Sequence, residues 1–120
     1  MKEPTNGALP NPELKAMHES LIALVRTLEE SIDAAPTAAA ISAIVDRIAD
    51  VNARVTSTGS VLLARQTDEI VRLSHTVAEA LPRIEDEIAD IERLESTLGT
   101  ITDMLATVDE AVNVAKMVCR

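Results

Sequence analysis

Residues 70–119 read IVRLSHTVAE ALPRIEDEIA DIERLESTLG TITDMLATVD EAVNVAKMVC. Counting sevens from Ile70 gives Val77, Ile84, Ile91, Leu98, Leu105, Val112 and Cys119, all apolar. The companion set, three residues later, is Leu73, Ala80, Glu87, Leu94, Ile101, Val108 and Ala115, and only Glu87 breaks it. An apolar seam held at a 3.5-residue period predicts a left-handed coiled coil. Pro82 falls on the side opposite the seam, where a bend does least harm to packing. The register also runs through Gly99 without a phase change, which a tight turn has no reason to preserve. One long, bent helix over 61–119 is therefore expected, roughly 90 Å long at 1.5 Å per residue.

Upstream, the pattern is that of a helical hairpin. Residues 1–10 carry Pro4, Gly7 and Pro10 and read as a flexible tail. Asn11 can cap a helix, Pro12 sits where a missing N–H costs nothing, and Glu13 suits the positive helix end. Leu14, Met17, Leu21, Leu24, Leu28 and Ile32 follow at helical spacing. Pro36 ends this helix, giving a span of about 12–34. Thr37 can cap a second helix over about 38–56, with the stripe Ile41, Ile44, Ile48, Val51 and Val55. Thr56-Ser57-Thr58-Gly59-Ser60 are poor helix formers as a group, and the seam slips by one residue there. A turn or sharp kink is expected at that point.

The expected fold is thus all-α: a helical hairpin plus one long C-terminal coiled-coil helix, all within a single helical domain over 11–120. A compact three- or four-helix bundle, turning near Gly59 and Gly99, is the alternative. The long helix cannot bury its seam alone, and the two shorter helices together are shorter than it is. Leu81 and Ile88 widen the apolar face beyond two seam positions, which suits a bundle of several helices. The expected partner interface is accordingly Ile70, Leu73, Val77, Ile84, Glu87, Ile88, Ile91, Leu94, Leu98, Ile101, Leu105, Val108 and Val112. Its partners would be other helical protein subunits, in a homo- or hetero-oligomer.

Composition narrows the functional classes. At 47% hydrophobic residues the chain is too apolar for intrinsic disorder. It has no Phe, Tyr or Trp, so it lacks the stacking platforms that single-stranded nucleic acids need. Its net charge of −9 repels a phosphate backbone and an anionic membrane surface alike. No nucleic-acid partner and no direct membrane insertion are expected. The N-terminus has no apolar secretory core and no stretch is long enough to span a bilayer, so a cytoplasmic setting is expected. A single cysteine, Cys119, forms no intrachain disulfide.

Chemical motifs are scarce. His18 and His75 are far apart in sequence and read as solvent-exposed, and no Glu-x-x-His di-metal signature occurs. Zinc has no cysteine pair to draw on. Cys119 has no activating neighbour and reads as a small apolar residue. The acidic run Glu85, Asp86, Glu87, Asp90, Glu92 and Glu95 is offset only by Arg93. It lacks the alternating ligands and glycine of a calcium loop, so a solvated face or a dock for a basic partner are its readings. Glu87, charged and on the seam, would select register or partner by meeting a Lys or Arg of another chain. No catalytic residue, cofactor site or metal site is expected, and the function read from the residues is that of a non-enzymatic scaffold or adaptor subunit. The bundle alternative implies instead a homo-oligomeric or regulatory binding module.

The segment Glu87-Ile88-Ala89-Asp90-Ile91-Glu92, continuing to Leu105-Ala106-Thr107-Val108-Asp109-Glu110-Ala111-Val112, resembles the C-terminal helix of a family of small coiled-coil subunits. These belong to the complexes for biogenesis of lysosome-related organelles and for lysosome positioning. There a Glu-Ile-x-Asp-Val-Glu segment precedes an apolar-Ala-Thr segment, and Ala64-Arg65-Gln66-Thr67 resembles an Ala-Lys-Gln-Thr segment upstream. The resemblance implies a subunit of an elongated hetero-oligomer acting in endosomal sorting or lysosome transport, held on those membranes through its partners.

Overall fold

Each helix begins at a residue whose side chain satisfies the first free N–H groups. Asn11 accepts from the N–H groups of Glu13 and Leu14 at 2.9 and 3.1 Å, with Pro12 next in line, and opens α1, Pro12–Ile32. Thr37 accepts from Ala40 and opens α2, Ala38–Gly59. Thr67 accepts from Ile70 and opens α3, Asp68–Glu87. The Asp90 carboxylate accepts from the Glu92 N–H, and a 3-10 turn over Ile91–Arg93 leads into α4, Leu94–Val118. This computed structural model describes residues 9–118. Most of the tail expected over 1–10, and Cys119, lie outside them.

The all-α fold is as expected, and its architecture is the compact bundle. The continuous helix expected over 61–119 is instead two helices, α3 and α4, joined through Ile88–Arg93. Gly99 is not the break; it lies inside α4. The break keeps the heptad register because the stretch from Ile88 to Leu94 uses up about one heptad of chain. Counting sevens passes over it unaltered. Ile88 and Leu94 are both buried, so the chain enters the core on each side of the turn. Asp90 caps the 3-10 turn that leads into α4, and Glu92 and Glu95 favour the positive end there. Folding back lets the two halves of one seam cover each other, which a straight helix cannot do alone. Pro82 stays within α3 on its exposed side, as expected.

The other difference lies at the end of α2. The helix continues through Thr56–Gly59 despite poor propensities, and the connection to α3 occupies residues 60–67. Tertiary contact decides this. Thr58 is fully buried, donates its hydroxyl to the Arg54 carbonyl at 2.8 Å and faces His18 Nδ1 at 2.9 Å. His18 is therefore half-buried and bonded, not solvent-exposed as expected, whereas His75 is exposed.

The four helices form two hairpins laid against each other, α1–α2 and α3–α4. α1 rests on α3 and α2 on α4. Ser74, early in α3, donates to Glu13 at the start of α1 at 3.1 Å. At the other end, Thr27, Glu30 and Ser31 of α1, with Ala34 just beyond it, share a groove with Ile88 and Ala89, so α1 and α3 run in the same direction. Arg47 and Arg54 on α2 reach the Leu98 carbonyl and Asp109 on α4 in the same order, so that pair is also parallel. The core comprises Leu14, Met17, Leu21, Leu24 and Leu28 of α1, Ile44 and Val51 of α2, and the seam of α3 and α4. One buried polar atom, the Thr97 hydroxyl oxygen, has no partner among the described residues.

Gly99 offers a clean test of helix continuity. A Cβ built there meets nothing within 4 Å. Gly99→Ala is expected to stabilise the chain by about 1 kcal/mol through helix propensity alone. Thermal unfolding should show a rise in Tm; a fall would mean that the backbone at Gly99 is not helical. Gly59 gives no such easy gain, because a Cβ there would lie 3.1 Å from Cε1 of His18, which Thr58 holds in place.

Candidate interaction surfaces

The residues expected to meet a partner are turned inward. Ile70, Leu73, Val77, Ile84 and Ile88 are buried on α3 and the turn after it. Leu94, Leu98, Ile101, Leu105, Val108 and Val112 are buried along α4. All belong to one core with α1 and α2. Ile91 opens the 3-10 turn. The seam is thus covered within the chain, and the premise that it must wait for another chain does not hold. That premise fails because helix length was the wrong measure of cover: once the seam helix is cut into two, α1 and α2 each match a half.

Glu87 is likewise met in cis. It lies half-buried, with its carboxylate 3.6 Å from Arg93, and Arg93 also reaches Asp90 at 3.5 Å. Pairs this exposed contribute about 0–1 kcal/mol, so the clip trims the turn and does not hold it. The other segment that carries the family resemblance, Leu105–Val112, lies on α4 with Leu105, Val108, Ala111 and Val112 in the core.

The best-made polar contact joins the two hairpins. Arg54 holds Asp109 with two parallel hydrogen bonds, Nε to Oδ1 and Nη2 to Oδ2, each 2.9 Å. That planar fit is what guanidinium offers and ammonium does not. The hydrogen bond to Asp109 raises the Arg54 pKa; burial opposes this, and the charges of Asp109 and Asp50 add to it. A raised folded-state pKa adds stability that is complete below the ordinary arginine range and fades only as pH climbs through it. The contribution is therefore constant across neutral pH.

With the seam closed, the surfaces offered to other molecules are on the outside. The outward side of α2 is unusual in this acidic chain. Its exposed residues are Ala, Ser, Asn and Thr with Ile41 and Val45, and Asp46 is their single charge. Ile41 is 37% and Val45 47% exposed, one turn apart, so they stand side by side. The helical spacing of α2 places Ile41 in the core stripe, and the structure puts it on the surface. A signal was present in the sequence: Ile41, Ile44, Val45 and Ile48 span more of the helix than one buried face can take.

Open grooves lie between the helices among the described residues. One, of about 220 Å³, lies between the ends of α1 and α3 and is lined by Thr27, Glu30, Ser31, Ala34, Ile88 and Ala89. Another, of about 210 Å³, lies between α3 and α4 and is lined by three threonines, Arg83, Asp103, Ala80 and Met104. Both are smaller than the usual small-molecule site of about 300–1,000 Å³. Among the described residues no group of His, Cys, Asp and Glu is placed to hold a metal, and no helix is long and apolar enough to cross a membrane. Comparison with protein families, with characterised proteins and with solved structures finds no match to this chain.

Proposed function

We propose that this protein is a non-enzymatic interaction module: a helical bundle complete in itself that pairs with a second copy through the outer side of α2. The observation that carries this reading is the contrast between that side and the rest of the chain. A net charge of −9 makes two copies repel one another across most orientations. The outward side of α2, with Asp46 as its one exposed charge, is where they approach at least cost. Ile41 and Val45 supply the apolar area that would be buried there. An isologous contact of this kind needs only one self-complementary patch, and closed pairs are the commonest oligomers.

Light scattering combined with small-angle X-ray scattering tests this directly. The wild-type chain is expected at about twice 12.8 kDa at high concentration, dissociating on dilution. Val45→Glu should give a monomer with an unchanged melting temperature, because Val45 supports no core contact that would be lost. A monomer at every concentration, or a dimer indifferent to Val45→Glu, would overturn the assignment.

A further inference from the structure

The end of the bundle that holds the α1–α2 and α3–α4 turns carries an open groove beside several exposed acidic residues. Its open groove of about 220 Å³ has Ala34, Ile88 and Ala89 as apolar lining, with Glu30 on its edge. Glu29 and Asp33 flank Glu30 on α1, and Asp86 and Asp90 flank Ile88 and Ala89; all four are exposed. From Thr27 to Thr37 and from Ile84 to Glu95 the only basic residue is Arg93, and it is already shared between Glu87 and Asp90. The groove also lies between the C-terminal ends of α1 and α3, neither of which has a basic residue in its last turn. Helix C-termini carry partial negative charge and favour cations.

We infer that this groove docks a basic, amphipathic peptide segment of another protein. An aliphatic side chain of that segment enters between Ala34 and Ile88–Ala89, while lysines or arginines on either side meet Glu29, Glu30 and Asp33 on one wall and Asp86 and Asp90 on the other. The small volume and open shape suit a side chain presented by a peptide better than an enclosed metabolite. A second copy of this acidic chain is the wrong sign for the rim. The site is separate from the outer side of α2, so it stands or falls independently of self-pairing.

Fluorescence anisotropy with a fluorescein-labelled peptide of leucine and lysine, spaced as an amphipathic helix, tests this at about 0.15 M salt. A second peptide keeps the lysines and replaces leucine by serine. Binding of the leucine peptide is expected, with affinity falling about tenfold or more for the double variant Glu30→Lys/Asp33→Lys and for Ala34→Phe, which fills the groove without changing charge. The double variant Asp103→Lys/Glu110→Lys makes the same charge change on α4 and should bind as the wild type does, and each variant's melting curve confirms that it folds. Equal binding of the two peptides, equal weakening by the α4 variant, or indifference to Ala34→Phe would each show mere charge attraction and overturn the inference. So would a failure of the wild type to bind the leucine peptide, or a concentration-dependent mass that Ala34→Phe abolishes.

Discussion

Ile101→Ala is expected to destabilise the isolated chain by about 2–5 kcal/mol, the range for truncating a fully enclosed isoleucine. Ile101 sits two turns into α4 with no exposed area. It belongs to the core that all four helices share, and α4 packs on α2 and α3. The lost methyl and methylene groups leave a cavity that the surrounding helices fill only in part. Urea unfolding of the monomeric variant should show a lower midpoint with little change in slope. Val45→Ala, on the outer side of α2, is the control and should move the midpoint by no more than about 0.5 kcal/mol. The comparison separates two architectures. In a scaffold whose seam waits for a partner, Ile101 would be exposed in the lone chain, and its truncation would leave monomer stability unchanged. Such a result would return the seam to the role of an interface.

Asn11→Ala is expected to cost about 2–4 kcal/mol, far more than a helix cap alone. The cap accounts for about 0.5–2 kcal/mol. The remainder arises because Asn11 also ties α1 to the connection between α2 and α3. Its side-chain amide donates to the Ala64 carbonyl at 3.2 Å and to Oε1 of Gln66 at 3.0 Å, and its backbone N–H donates to the Leu62 carbonyl at 2.6 Å. Asn11 is 4% exposed, so removing the amide leaves the Ala64 carbonyl without its donor in a dry place, at about 1–3 kcal/mol. Asn11→Asp isolates this second role. Aspartate caps as well as asparagine does, yet here its second oxygen would face two acceptors. The introduced carboxyl is thus held protonated more readily in the folded state, and its pKa rises. Its penalty should be largest at neutral pH and shrink as pH falls through that raised pKa, relative to the wild type at each pH. An Asn11→Asp variant as stable as the wild type at pH 7 would show that Asn11 only caps.

Much of this architecture is written in short-range chemistry. Asn11, Pro12 and Thr37 mark helix starts because an N–H group without a partner needs one within a few residues, and the capping side chain lies beside it. The stripe from Leu14 to Leu28 faces inward because helical spacing puts those residues on one side whatever they pack against. The same periodicity makes Ile70 to Val112 a continuous seam, and every seam residue whose side chain is described is buried, apart from half-buried Ala80 and Glu87. Composition likewise shows, without reference to shape, that the chain has no aromatic residue and a net charge of −9.

Periodicity could not say what the seam faces. A heptad pattern reads alike in a straight helix and in one folded back through a turn of about one heptad, so the break at Ile88–Arg93 left no mark on the count. Whether Glu87 meets a cation of its own chain or of another, and whether His18 is wet or bonded to Thr58, are questions about residues distant in sequence. They are settled by packing. Which residues must be buried, and where most helices begin, follow from local demands of hydrogen bonding and apolar spacing. That the chain buries them against itself is a matter of packing between distant segments. That choice rests on the summed fit of four helix faces, and it leaves the outer side of α2 and the acidic groove, not the seam, on the surface.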